Sequence, residues 1–274
     1  MEPLQAVILG MIQGVTEFLP VSSSGHLVIF QHLFGLNEPE LFFDVSVHLG
    51  TLVAVIIFFW EEIRKVIISI GRFFRLVFKK EISFSYINED TDLKLAVLIV
   101  IGSIPTAFLG LLFHRIADQL FSSVILVGMM LLVTGSLLWG TRWIKKEGRS
   151  IACFSIRDAL FIGLMQGVAI LPGISRSGST IAAGLFVGLS RETAARYSFL
   201  LFIPAILGAE ILSLKDLPDC RVSSNPVVIL GAVTACIVGY GALRLLLRLI
   251  KQGRLHFFAP YCWLAGITAL ILGW

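Results

Sequence analysis

Long apolar stretches constrain this chain more than any other feature of its sequence. Four of them, 41–60, 93–113, 124–139 and 227–243, approach the roughly 20 residues that a helix needs to cross hydrocarbon. Only 15% of the residues are charged, whereas soluble domains carry roughly a quarter. So few charged side chains cannot cover a water-exposed surface. The sequence therefore predicts an all-α integral membrane protein.

The basic residues predict how the chain crosses the membrane. Most Lys and Arg residues fall in 61–94, 142–157, 191–196 and 244–254, and few occur near Arg115 or in 215–225. Because basic loops stay in the cytoplasm, the rich stretches are expected there and the poor ones outside. This distribution encodes membrane orientation, so we expect no nucleic-acid partner. It predicts a multi-pass protein of the bacterial inner membrane, with Cys153 cytoplasmic and Cys220 extracytoplasmic.

Two apolar regions, 4–34 and 159–189, are broken in the middle by Pro, Gly and Ser. The pieces of the first region, 4–19 and 21–34, reach roughly 21–24 Å as helices, short of a hydrocarbon core of about 30 Å. We interpret each region as a re-entrant helix–loop–helix that enters and leaves on one side. The alternative is a pair of tilted full spans, because short spans can tilt or thin the bilayer.

The broken regions are copies of each other. Gly10, Gln13, Gly14, Val15, Ser22, Ser24 and Gly25 recur 153 residues later as Gly163, Gln166, Gly167, Val168, Ser175, Ser177 and Gly178. The repeats predicted are 1–141, with spans at about 42–60, 95–113 and 121–140, and 158–274, with spans at about 197–213, 226–243 and 257–273. Three crossings after each re-entrant region invert the second half relative to the first. Such repeats place their sites near the midplane, and both termini should be extracytoplasmic.

Three ionisable residues in or beside the two loops point to chemistry there. Glu17, His26 and Arg176 lie at membrane depth, where an ionisable group indicates function by default. Arg176 keeps its proton and needs an anion, and its planar fork suits phosphate. The alternative is a structural Arg176–Glu17 pair, although buried ion pairs are weak stabilisers. His26 could be nucleophile, base or acid, and Ser23 is the competing nucleophile.

Metal and anion ligands are predicted around the same loops. Gln13 and Glu17 are spaced i, i+4 on one helix face and suit Mg²⁺ or Ca²⁺ beside a diphosphate. Hydroxyls and helix N-termini in glycine-containing loops suit an anion, although small residues also serve helix packing in lipid. The hydroxyl residues concerned are Ser22, Ser23, Ser24, Ser175, Ser177, Ser179 and Thr180. Isolated ionisable groups are expected to be structural or secondary, namely His32, His48, His114, His256 and Glu210.

At these residues the chain closely resembles the undecaprenyl-diphosphate phosphatase family, also called bacitracin-resistance proteins. The family's (Glu/Gln)-x-x-x-Glu motif is met by Gln13 and Glu17, before PVSSSGH at 20–26, and its Pro-Gly-x-Ser-Arg-Ser-x-x-Thr motif at 172–180. The resemblance extends over essentially the whole chain. It implies hydrolysis of undecaprenyl diphosphate, dependence on Mg²⁺ or Ca²⁺, a site opening to the periplasm, and bacitracin resistance on overproduction.

The resemblance also implies the roles of the site residues. Catalytic roles fall to Glu17, Ser23, His26 and Arg176, phosphate binding to Ser22, Ser24, Gly25, Ser175, Ser177, Gly178 and Thr180, and metal binding to Gln13 and Glu17. The neutral Gln13 leaves more of the metal to Glu17. Expected partners are undecaprenyl diphosphate and membrane lipid, and we also consider a homodimer. The main alternative is a transporter or flippase of undecaprenyl phosphate, since inverted repeats are common in transporters. A carrier, however, needs no acid–base group.

Overall fold

Helices make up nearly all of the chain that the structure describes. The structure is a computed structural model that describes residues 1–36, 41–79, 86–114, 120, 123–144, 148–215 and 226–272. The α-helices are α1 (Pro3–Phe18), α2 (Ser23–Leu33), α3 (Leu41–Phe58), α4 (Trp60–Phe78), α5 (Tyr86–Glu89), α6 (Thr91–His114), α7 (Val124–Gly140), α8 (Ile156–Val168), α9 (Arg176–Phe186), α10 (Arg191–Lys215), α11 (Pro226–Lys251) and α12 (Ala259–Leu272). Short 3₁₀ turns occupy Thr141–Trp143, Ile151–Cys153 and Leu255–Phe258. No β-strand occurs among these residues, which confirms the all-α prediction.

Several of these helices can cross a membrane. Four segments are long and apolar enough by themselves, namely Thr91–Phe113, Val124–Trp143, Arg191–Ser213 and Pro226–Lys251. Helix α3 supplies a fifth when it is counted with α4, from which it is bent by 77°. The predicted span 257–273 falls on a shorter apolar segment, Leu255–Ile271, and its last residue lies outside the described ranges. The chain is therefore built as a multi-pass membrane protein.

Both broken regions are interrupted where the sequence predicts. Helix α1 ends at Phe18 and α2 begins at Ser23, whereas α8 ends at Val168 and α9 begins at Arg176. Two residues in the breaks have left-handed backbones, Gly173 with φ +95° and Ser22 with φ +70°. Glycine adopts this conformation freely, but a serine there is uncommon and is held by its surroundings. Whether the two regions re-enter the membrane stays a prediction.

Matched glycine contacts join the two halves of the chain. Helix α1 packs along α11, and a Cβ at Gly10 would lie 2.4 Å from the carbonyl oxygen of Gly231. Helix α8 packs along α6, and a Cβ at Gly163 would lie 1.9 Å from the carbonyl oxygen of Gly102. Small residues let helix backbones approach this closely in lipid. The first helix of each half thus packs on the other half. This exchange fits the predicted repeat, whose inverted orientation stays a prediction.

Helix α4 lies where the sequence was interpreted only as a basic loop within 61–94. It has exposed apolar side chains, including Ile67, Ile68 and Phe74, together with exposed basic ones such as Arg72 and Arg75. The helix carries too many charges to cross hydrocarbon. An apolar face beside Lys and Arg is typical of a helix that lies in the membrane interface. The sharp bend at Phe59 separates this helix from α3.

A buried core surrounds the inner ends of the broken helices. The ring of Phe18, at the end of α1, contacts Phe199 of α10 with centroids 6.0 Å apart, and Phe199 stacks on Phe59 at 5.9 Å. Tyr197 is fully buried and its hydroxyl donates to the carbonyl of Leu98 at 2.7 Å. This packing holds the end of α1 in place, and with it Glu17, the residue just before Phe18.

Candidate active site

Direct hydrogen bonds hold the two breaks together. The Gly173 N–H donates to Ser22 Oγ at 3.2 Å, and Ser177 Oγ donates to the carbonyl of Phe18 at 2.8 Å. Thr134 of α7 supports the second break: its hydroxyl donates to the Gly173 carbonyl at 3.0 Å and accepts from the Ser175 N–H at 3.1 Å. Backbone groups in both breaks therefore have partners in the other break, and those of the second break also have one in α7, as irregular backbone at membrane depth requires.

A charged pair joins the two repeats at this junction. Arg176 Nη2 donates to Glu17 Oε1 at 2.6 Å, and the two side chains are only 14% and 7% exposed. The guanidinium also lies over the ring of Phe202, 3.6 Å from its centroid. Arg176 Nη1 is buried and has no hydrogen-bond partner among the described residues. Because guanidinium nitrogens only donate, this group requires an acceptor that an anion can supply.

The other polar groups of the site lie around the second carboxylate oxygen of Glu17, Oε2. Ser23 Oγ donates to Glu17 Oε2 at 2.6 Å, and Gln13 Nε2 donates to the same oxygen at 3.1 Å. His48 Nε2 lies 3.8 Å from it. The structure thus brings together four residues that the sequence placed at the site, Gln13, Glu17, Ser23 and Arg176. A hydroxyl, a carboxylate and a guanidinium within direct contact form an arrangement that can bind a phosphate and accept a proton.

His26 lies in the first turn of α2, just after the first break, but has different partners. Its Nδ1 is 2.8 Å from the Ser22 carbonyl, and its Nε2 is 2.5 Å from the Tyr261 hydroxyl of α12. A carbonyl only accepts, so Nδ1 holds a proton, and the neutral ring accepts from Tyr261 through Nε2. Among the described residues, no hydrogen bond joins His26 to Glu17 or Arg176. Its predicted catalytic role stays a prediction.

Most of the predicted phosphate-binding hydroxyls make contacts within the loops. Ser175 caps α9 by accepting from the Gly178 N–H at 3.1 Å, and Thr180 donates to the Arg176 carbonyl at 2.9 Å and shares a 2.5 Å hydrogen bond with Ser198. The Oγ atoms of the pairs Ser22–Ser24 and Ser175–Ser177 are each 3.3 Å apart.

The two predicted glycines of the site allow close packing. A Cβ at Gly178 would lie 3.0 Å from Pro20 Cβ, and a Cβ at Gly25 would lie 3.3 Å from Val127 Cγ1. Phosphate binding by this set stays a prediction.

Two ionisable residues that the sequence analysis set aside belong to this neighbourhood. His48, expected to be structural, directs Nε2 toward Glu17. Glu210 of α10 is buried, its Oε2 has no hydrogen-bond partner among the described residues, and it lies near enough to His48 to interact electrostatically. Both lie on helices that belong to the candidate membrane spans. The rule that intramembrane ionisable groups indicate function, applied to every helix, would have found them.

A divalent cation fits the residues present, with few protein ligands. Within the described residues, no three His, Cys, Asp or Glu side chains form a metal-binding group. Glu17 offers one carboxylate, however, and Gln13 Oε1 is buried without a hydrogen-bond partner in the described part of the chain. Mg²⁺ commonly takes one or two carboxylates and completes its shell with water and substrate phosphate. The donor set at Gln13 and Glu17 suits that pattern.

The fold and this junction define a polytopic membrane protein with a buried charged junction where two broken helices meet. The chain belongs to the family described as bacitracin resistance protein BacA, whose model matches residues 6–268. It is 56% identical over 274 residues to the undecaprenyl-diphosphatase of Desulfosudis oleivorans, covering 100% of this chain and 99% of that one. It is 52% identical to the undecaprenyl-diphosphatase of Desulforapulum autotrophicum, covering 100% and 99%, and 43% identical to that of Halothermothrix orenii, covering 99% and 98%. The resemblance expected from the motifs is confirmed.

Proposed function

We propose that this chain is an undecaprenyl-diphosphatase that hydrolyses undecaprenyl diphosphate to undecaprenyl phosphate and phosphate. The relatives that carry this name cover nearly the whole chain. The observation that carries the proposal is the contact of the Glu17 carboxylate with both the Ser23 hydroxyl and the Arg176 guanidinium. A site that only bound a lipid phosphate would need the guanidinium but not a proton acceptor beside a hydroxyl. The names of the relatives likewise do not favour the carrier alternative.

Arg176 and the start of α9 would bind the terminal phosphate. The unpartnered Nη1 of Arg176 can donate to a phosphate oxygen while Nη2 stays on Glu17. Arg176 is also the first residue of α9, whose N-terminal N–H groups favour an anion. Groups that are aimed at the transferring phosphoryl before reaction stabilise its charge without reorganisation.

Ser23 is our assignment of the nucleophile. Its hydroxyl donates to Glu17 Oε2 at 2.6 Å, so the carboxylate can take the proton as Oγ attacks the terminal phosphorus. The bond from Ser23 Oγ to phosphorus forms, the anhydride bond breaks, and undecaprenyl phosphate leaves. Water then releases phosphate from Ser23. His26 has Nδ1 bound to the Ser22 carbonyl and Nε2 bound to the Tyr261 hydroxyl, so a proton would pass between Nε2 and the leaving group or this water through that hydroxyl.

Gln13 and Glu17 would hold a divalent cation, Mg²⁺ or Ca²⁺. When bound, the cation would supply positive charge that neutralises the diphosphate. Arg176 alone cannot balance a diphosphate, because one of its nitrogens already pairs with Glu17. The neutral Gln13 leaves the cation to bind mainly through the single carboxylate.

The site is proposed to open on the extracytoplasmic face of the inner membrane. Basic residues near Cys153 and in α4 support a cytoplasmic location for those segments. Impermeant thiol reagents on intact cells should then label Cys220, which lies outside the described residues, before the exposed Cys153. Earlier labelling of Cys153 would overturn this orientation. A homodimer stays a prediction that the mass of the detergent-purified protein would test.

The proposed activity is tested by phosphate release from undecaprenyl diphosphate by the purified protein with Mg²⁺, Ca²⁺ or EDTA. We expect cation-dependent release that falls about 10²–10³-fold in Arg176→Lys, which keeps the charge but loses the fork. Ser23→Ala should abolish release, whereas Ser103→Ala, which removes only a bond within α6, should not. Folded wild type that binds undecaprenyl phosphate but releases no phosphate would instead indicate a carrier.

A further inference from the structure

We propose that His48 is a third protein ligand, through Nε2, of the divalent cation held by Gln13 and Glu17. The inference rests on the proposed function, because it concerns the cation of the same site. His48 lies on α3, in the middle of an apolar span, with Nε2 directed at the carboxylate that the site shares. It therefore adds a residue from a second helix to the cation site, whose other two ligands both lie on α1.

The hydrogen bond of the other ring nitrogen sets which atom can bind a metal. His48 Nδ1 lies 2.7 Å from the carbonyl oxygen of Asp44, one turn earlier on the same helix. Because that oxygen only accepts, Nδ1 carries a proton and the neutral ring has its lone pair on Nε2. A metal-binding histidine almost always donates its other N–H to a carbonyl or carboxylate, which fixes the ring. His48 has this arrangement.

The gap between His48 and Glu17 suits an ion better than a hydrogen bond. Nε2 and Oε2 are 3.8 Å apart, too far for a hydrogen bond. Two ligands about 2.1 Å from one Mg²⁺-sized ion lie about 3 Å apart when adjacent and about 4 Å apart when opposite. The observed separation of 3.8 Å is nearest the opposite arrangement. A protonated His48 is not needed to balance the charge of Glu17, because Arg176 already pairs with that carboxylate at 2.6 Å.

Gln13 completes the same group from α1. Its Nε2 lies 3.1 Å from Glu17 Oε2, and its Oε1 is buried without a hydrogen-bond partner among the described residues. Rotating the amide exchanges these two atoms and brings Oε1 toward the same oxygen. One carboxylate, one amide oxygen and one imidazole nitrogen would then face the ion. The imidazole would add a nitrogen ligand to this otherwise oxygen-based set, and Mn²⁺, which shares the oxygen preference of Mg²⁺ and Ca²⁺, can report that nitrogen.

Mn²⁺ binding to purified protein tests this assignment without relying on activity. Pulsed electron paramagnetic resonance detects the nitrogen of an imidazole bonded to Mn²⁺, and the signal of free Mn²⁺ gives the affinity. We expect the nitrogen coupling in wild type and in the matched control His256→Gln, and its loss in His48→Gln and His48→Leu. His48→Leu should also weaken Mn²⁺ binding by about 10-fold or more.

Each contrary outcome has a separate meaning when phosphate release is measured on the same preparations. Bound Mn²⁺ that depends on Glu17 but shows no imidazole coupling, or keeps it in both folded His48 variants, overturns the role of His48 alone. Phosphate release by wild type with no bound Mn²⁺ and with EDTA present overturns the cation, and His48 with it. A preparation that binds Mn²⁺ with imidazole coupling but releases no phosphate supports His48 and overturns the activity.

Discussion

The contact between Gly163 and Gly102 predicts that one added methyl group will damage the site from a distance. A Cβ at Gly163 would lie 1.9 Å from the carbonyl oxygen of Gly102 and 2.7 and 2.9 Å from its carbonyl carbon and Cα. All three are backbone atoms, which no rotamer change can move. Ordinary contact begins near 3.4 Å, so Gly163→Ala must push α8 away from α6 by about 1.5 Å.

Two opposing effects set the size of the change. Alanine in place of glycine favours a helix by roughly 0.5–1 kcal/mol, whereas overpacking a close contact costs about 1–3 kcal/mol. The shift would also stretch the 2.9 Å hydrogen bond from Thr106 to the Gly163 carbonyl. Because α8 leads directly to the break before Arg176, the guanidinium would move with it. A misplacement of about 1 Å can cost roughly 10²-fold in rate.

The matched control is Gly241→Ala on α11, where an added Cβ would meet nothing within 4 Å. Detergent-purified variants would be compared by thermal unfolding and by phosphate release from undecaprenyl diphosphate. Gly163→Ala should melt below wild type, by roughly 2–4 °C for each kcal/mol lost, and release phosphate about 10²-fold more slowly. Gly241→Ala should melt at or above wild type with unchanged release. Equal behaviour of the two variants would refute the close contact.

Three further changes test separate contacts. Removing one partner of the buried Arg176–Glu17 pair costs about 3–5 kcal/mol, because the other charge is left unpaired. The double variant Glu17→Gln with Arg176→Gln should therefore melt above either single variant yet release no phosphate. Phosphate release by the double variant would show that the pair is only structural. Burial raises the pKa of Asp90, but hydrogen bonds from the first N–H groups of α6 and a serine hydroxyl hold that pKa below its ordinary 3.8. The charge therefore stabilises the fold above about pH 4 and loses this effect below, so the higher melting temperature of wild type over Asp90→Asn should vanish on acidification. A difference in melting temperature between wild type and Asp90→Asn that stays the same at every pH would contradict this reasoning. Tyr261→Phe removes the hydroxyl that contacts His26, a loss of about 1–3 kcal/mol, and should slow phosphate release roughly 5- to 150-fold. An unchanged rate would show that Tyr261 does not position the ring.

Much of the helical architecture was predictable because its signals are local. Apolar runs mark the spans, and Pro20 and Gly173 mark the breaks where α1 and α8 end. The repeated motif then directed attention to Glu17 and Arg176, which the structure places in contact. The sequence analysis did not predict helix α4, because its basic residues were used only to assign a side of the membrane.

The contacts that the sequence did not predict join distant parts of the chain. Tyr261, the partner of His26, lies 235 positions away, and nothing in the local pattern marks it. His48 was set aside because a single histidine is usually structural. Its proximity to Glu17 depends on how α3 packs against α1, which hydropathy cannot specify. Both contacts depend on the packing between helices, which the sequence motifs do not specify.

The exchange of first helices between the halves has a consequence for biosynthesis. Helix α1 leaves the ribosome long before its packing partner, α11, is made. Until then the face of α1 around Gly10 and Gly14 has no backbone to pack against. The nascent chain must therefore hold its first helix in a provisional position while later spans insert. A chain that stops before 226 would carry every motif residue and still be unable to assemble the site.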